Sequence, residues 1–271
     1  MRPVFLKKTH SILLDKQERA SMSPKVIFGV NNLRLELIAL EIVWKNNRSL
    51  WKTFLLQHFP VFSEVKNWNT KTIKGLAAGV YEERKDEIVK ASQLFREWWS
   101  PLEQGWFLFL EDIFELKIGM MSFKAAVGIS PISPRNLEEE SFLVPFYTTR
   151  QNLIRLCAHE TSHFYFYRKI KKMNPFLKRK IIISSGYLWL LSEMLVPLML
   201  DDPKVINAIG KTDTKSYVCK SSPPTQLKIL YNLLTKKKID SKDFFEKIMK
   251  IKIHTSDLNQ KLILHTNIDK K

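Results

Sequence analysis

The chain has 271 residues, enough for one large domain or two small ones with a real core, and its 45% apolar content argues against disorder over most of its length. Only eight glycines and few alternating runs argue against an all-β protein. A net charge of +17 is compatible with nucleic acid, an anionic membrane or an acidic substrate, but the lysines are spread widely and charge alone says little about function.

Residues 1–32 are mixed, with "KVIFGV" a short strand. Residues 33–117 read as mostly helical. In "EERKDEIVKASQLFREWW" the spacing of Ile88, Phe95 and Trp99 predicts a helix with one apolar face. Ser100-Pro101-Leu102-Glu103 predicts a new helix start, with serine as cap, proline in the first turn and glutamate reaching back. Trp106, Phe107, Leu110, Ile113 and Phe114 continue that helix, and their aromatic stripe reads as core packing.

The pattern changes near residue 122. "FKAAVGI" predicts a strand, "SPISPRNLEEE" a turn-rich loop, and "SFLVPF" a second strand that Pro145 restricts to an edge or a strand end. Thr148-Thr149-Arg150-Gln151 offers a capping box, threonine first and glutamine three later. Leu153, Ile154, Leu156 and Cys157 carry that helix to about Met173, before Pro175. A second helix is expected over about 177–200, ending by Pro203. Two short helices follow at about 224–236 and 241–251, and the last twenty residues carry little pattern.

Residues 181–200 approach the length and apolarity of a membrane span. Glu193 past the middle, three serines and Pro197 argue instead for a buried helix, since a carboxylate in the bilayer costs roughly 2.5–3.5 kcal/mol. Two cysteines, Cys157 and Cys219, are no disulfide framework and fit a reducing, cytoplasmic compartment. The first residues lack the apolar run of a signal peptide.

Within the helix that starts near residue 150 stands His159-Glu160-Thr161-Ser162-His163. On a helix, residues four apart differ by about 40° in azimuth, so both imidazoles can grip one ion. Glu160 is offset by about 100° from His159, where it can take a proton from metal-bound water and pass it to a leaving amine. No histidine stands six residues after His163, where Lys169 lies, so a third histidine ligand at that spacing is excluded. Between His163 and Glu246 the chain has one glutamate, Glu193, and a lone carboxylate in an apolar helix needs a partner. Asp201, Asp202 and Asp213 compete with it, although the first two lie at a helix end where solvent is the natural partner.

These residues resemble the gluzincin group of zinc metallopeptidases, particularly its small members. The resemblance covers roughly residues 122–200 and rests on "HETSH" and "LLSEMLV". It implies one zinc ion per chain, held by His159, His163 and Glu193, with Glu160 as general base of peptide hydrolysis. It also implies a sheet before the motif helix whose edge strand, here 141–146, lies along a peptide or protein substrate. The expected fold is α+β, mostly helical and zincin-like, in a single domain. Residues 1–121 form its helical N-terminal part, 122–200 the sheet and both ligand helices, and 201–271 the short C-terminal helices. One departure is Pro197, which stands where many relatives carry an acidic residue that supports a ligand histidine. Tyr187, Tyr217, Tyr231 and His254 are the candidate donors to the oxyanion of the tetrahedral intermediate, and nothing in the sequence chooses between them.

Other readings compete. A di-iron protein needs Glu-x-x-His twice, and this chain has it once, at Glu160 and His163. The basic run Arg168, Lys169, Lys171, Lys172, Lys178, Arg179 and Lys180 carries the alternative of a nucleic-acid or membrane-surface binding protein. Charge alone supports nucleic acid weakly, and a peripheral anionic membrane stays open as a partner. A catalytically silent zincin fold is the third reading, against which Glu160 counts.

Overall fold

The computed structural model describes residues 23–30, 33–45, 50–66, 69–176, 178, 185–210 and 224–251. Strand β1 (Lys25–Val30) leads into helices α1 (Leu33–Lys45) and α2 (Leu50–His58), a 3-10 turn (Pro60–Glu64), α3 (Thr70–Glu83) and α4 (Lys85–Phe114). Then come β2 (Ser122–Gly128), β3 (Arg135–Asn136) and β4 (Ser141–Pro145). Helices α5 (Arg150–Met173), α6 (Gly186–Leu200), α7 (Pro203–Ile209), α8 (Thr225–Thr235) and α9 (Ser241–Ile248) complete the described chain. Among the described residues the class is α+β, mostly helical with one small mixed sheet, as expected.

The sheet order is β1-β2-β4-β3. β1, β2 and β4 run parallel, with Lys25 opposite Ser122 and Lys124 opposite Ser141. β3 is antiparallel to β4, with Arg135 opposite Phe142. Every residue of β4 is buried, as expected of an inner parallel strand covered on both faces. The expectation that 141–146 is the sheet edge is therefore corrected. β4 lies between β2 and β3, Pro145 ends it, and the edge is the two-residue β3 inside the predicted loop.

The core is aromatic. Phe123 of β2 stacks on Phe164 of α5 at 5.2 Å and on Phe107 of α4 at 5.6 Å, and Phe142 of β4 approaches Phe164 at 6.3 Å. Such offset contacts add to the burial of large apolar surfaces. α4 is one helix of 30 residues with Pro101 inside it, which corrects the predicted start at Ser100. Proline removes one backbone donor, but buried Trp99 and Trp106 on either side hold the helix in register across it. Glu103 does not reach back to Ser100; it accepts from Trp99 Nε1 at 3.0 Å.

At the other end of β2 a backbone approach fixes the sequence. A Cβ on Gly128 would fall 2.1 Å from Glu36 Oε2 and 2.7 Å from the Tyr81 hydroxyl, so only glycine fits. Glu36, buried on α1, accepts there from Tyr81 at 2.7 Å and from the Ile129 amide at 3.1 Å.

α5 starts one residue later than the predicted box, with Thr149 as cap accepting from the Asn152 amide at 3.4 Å. It ends at Met173, as expected. α6 starts at Gly186 under a Ser185 cap, and Lys178 is not helical, which shortens the helix expected from 177. Residues 177 and 179–184 of that expectation lie outside the described residues. Pro203 opens α7 rather than only closing α6, because Asp202 caps it and proline suits the first helical position. Among the described residues no helix is long and apolar enough to cross a membrane.

Candidate metal centre

α5 is buried nearly all round, so its polar residues need partners inside the protein. Thr161 and Ser162 bond back along the helix, to the Cys157 carbonyl at 2.6 Å and the Ala158 carbonyl at 2.7 Å. Thr161 also accepts from Trp106 Nε1 at 2.9 Å, which ties α5 to α4. It lies about 200° around the helix from His159, so this tie leaves the histidine face free for α6.

On that face, His159 Nε2 and His163 Nε2 stand 3.0 Å apart. Glu193 of α6 presents Oε1 to His163 at 3.4 Å and Oε2 to His159 at 3.5 Å. One ligand atom from each residue can be chosen so that all lie within 4.8 Å of one another. A tetrahedral zinc site with arms of about 2.0–2.1 Å spans about 3.3–3.4 Å between donors, close to these separations. The sequence reading of Glu193 places it on the far helix facing both imidazoles, and α6 does pack across α5 in that way.

The tautomer also fits. The Ser192 hydroxyl donates to the Trp189 carbonyl at 2.7 Å and stands 3.0 Å from His163 Nδ1. With its proton committed, Ser192 accepts from Nδ1–H, and Nε2 of His163 is left with its lone pair toward Glu193 and His159. Burial, with the Arg135 charge nearby, holds the His163 imidazole well below its usual pKa, so it is neutral. A neutral imidazole is the metal-binding form. The contact to His163 Nδ1 comes from Ser192 of the same helix rather than from Pro197.

Glu160 lies beside the three donors, its Oε1 4.0 Å from His159 Nε2. Its pKa is raised by burial, against the opposing pull of Arg135 and His159. Glu193 is held well below the usual carboxylate range despite its burial, with the Arg135 guanidinium beside it. Arg135 is the residue sequence reasoning missed. Its guanidinium reaches Glu193 Oε1 at 2.7 Å and Glu160 Oε2 at 3.2 Å. It stands in the turn-rich stretch, 25 residues from one partner and 58 from the other, where no local spacing could flag it. Ser192 was equally silent, one serine among many.

The remaining candidates are engaged elsewhere or not described. Tyr187 donates to the Ile248 and Ile251 carbonyls at 3.0 and 2.9 Å, joining α6 to the end of α9. Tyr231 bonds Asp202 Oδ2 at 3.1 Å, and Asp202 is buried, which corrects its expected solvent partner. Tyr217, His254 and Asp213 lie outside the described residues. In the basic run, Arg168 forks onto Glu140 and Lys169 is buried, while Arg179 and Lys180 are not described.

Compared with protein families, curated proteins and solved structures, the chain finds no match.

Proposed function

We propose that the chain is a zinc-dependent peptidase of the gluzincin kind, with a zincin-like fold. One observation carries this reading: His159, His163 and Glu193 converge from two packed helices with Glu160 beside them. Two imidazoles and one carboxylate are a donor set suited to catalytic zinc. When bound, zinc supplies Lewis acidity and a water of lowered pKa. His159, His163 and Glu193 hold the ion, and Ser192 keeps His163 in the required tautomer. Glu160 accepts a proton from the attacking water at its carboxylate and gives it to the leaving amine. Its raised pKa suits both halves of that transfer.

The substrate edge belongs to β3 rather than to 141–146. An extended peptide that adds to β3 would run beside the strand that carries Arg135 to Glu160.

Metal analysis tests the reading. Purified protein is expected to hold about one zinc per chain, and His159→Ala and His163→Ala to lose it, since two remaining ligands make a poor site. Equal metal content in the parent and both variants would remove the zinc centre and the peptidase reading with it.

A further inference from the structure

We infer that Arg135 is a positioning residue that clamps the base Glu160 and the ligand Glu193 together and, by competing for Glu193, weakens the hold of the site on its metal. This rests on the zinc reading above. The Arg135 side chain is 12% exposed, and its two terminal nitrogens go to different carboxylates, Nη1 to Glu160 at 3.2 Å and Nη2 to Glu193 at 2.7 Å. Strand β3 delivers it, held by the pairing of Arg135 with Phe142 of the buried β4. The clamp thus joins three separate elements, the sheet edge, the motif helix and the Glu193 helix.

The oxygen it takes on Glu193 is the one that faces His163. Oε1 lies 2.7 Å from Arg135 Nη2 and 3.4 Å from His163 Nε2. A guanidinium and a metal ion therefore draw on the same lone pairs. A fixed positive charge a few ångströms from a dication also repels it, with little screening in a buried site. The same charge has an opposite value for the protein without metal. Glu160 and Glu193 are each only 3% exposed, and two buried carboxylates with no cation would be costly. Arg135 provides that cation from within the chain. The result is a site that is preformed before metal arrives and binds it less tightly than its three ligands alone would.

The consequence has an unusual sign. Loss of a merely structural residue loosens a metal site, whereas loss of Arg135 should tighten it. In Arg135→Gln, zinc affinity measured against a chromophoric chelator is expected to rise at least about tenfold. The melting temperature of the zinc-free variant should fall below that of the zinc-free parent. Its rise on adding zinc should be larger than the parent's, because stabilisation follows affinity. Arg135→Lys keeps a charge but cannot fork onto both carboxylates, so its affinity should fall between the two. If Arg135→Gln folds only with zinc present, that dependence is itself the expected loss of the internal cation. If it does not fold at all, the lysine variant decides, and an affinity below the parent's overturns the inference. An affinity of Arg135→Gln equal to or weaker than the parent's overturns it too, while leaving the zinc centre intact. A parent that takes up no zinc removes the centre and the inference together.

Discussion

The Ser192 hydroxyl stands 3.0 Å from His163 Nδ1, one residue before Glu193 in the same helix. One turn of α6 thus carries both the proposed ligand Glu193 and the hydroxyl that meets the proposed ligand His163 on α5. Ser192→Ala removes the acceptor and leaves a buried Nδ1–H unpaired, or lets the ring change tautomer and turn its proton toward the metal. Zinc affinity is expected to fall by about 10–100-fold, the usual effect of losing such a partner. Chelator competition on the folded variant measures it, and unchanged affinity would take Ser192 out of the centre.

Glu160→Gln separates chemistry from binding. The amide keeps the shape and can still accept from Arg135, but it cannot take a proton. Zinc content should stay at the parent's level while peptide hydrolysis falls by about 10²–10⁴. A variant that cleaves any peptide as fast as the parent would leave Glu160 with no part in the reaction.

What could be read in the sequence was what repeats at short range. The histidines and Glu160 share one helix, so their spacing alone fixed their geometry, and both imidazoles do face one point. Glu193 was reachable by elimination, because a lone carboxylate in an apolar helix had to meet something. Local signals misled where two structures share one signature. Ser100-Pro101 has the chemistry of a helix start, yet the packing of Trp99 and Trp106 carries α4 straight through. Asp202-Pro203 has the signature of a helix ending, and it also begins α7. Strand order was beyond reach because pairing is long-range. Nothing in "SFLVPF" says that Arg135 and Asn136 will fold onto its outer side and become the edge. For the same reason Arg135 was invisible, since its partners come from two other elements.

Thr161→Val tests the tie between α4 and α5. Valine keeps the volume but neither accepts from Trp106 Nε1 nor donates to the Cys157 carbonyl. Trp106 is fully buried, so its indole N–H is left without a partner. The expected loss is about 1–3 kcal/mol in urea unfolding with an unchanged denaturant slope. Zinc content should not change, because Thr161 faces α4 rather than His159, His163 and Glu193. Parent-like stability would show that the indole finds another acceptor.

Glu36 gives a pH dependence that does not involve the metal centre. Burial raises its pKa to about 7 from 4.5, against the pull of hydrogen bonds from Tyr81, Ile129 and Ser130. Its second oxygen, Oε1, is buried with no hydrogen-bond partner, an environment that disfavours the charged form. The folded protein therefore holds this proton more tightly than the unfolded chain does. The stability it contributes is full below about pH 4.5, declines as pH rises, and is gone above about pH 7. A gap of that size corresponds to about 3 kcal/mol at most, at 1.36 kcal/mol per pKa unit. Glu36→Gln has no proton to lose, so its stability carries no such slope from this position. The measurement is the difference in unfolding free energy between the parent and Glu36→Gln across that range. It should move against the parent by up to about 3 kcal/mol as pH rises from about 4.5 to about 7, and then level off. A difference that is flat with pH, or that moves in the parent's favour, would show that the folded protein does not raise the Glu36 pKa.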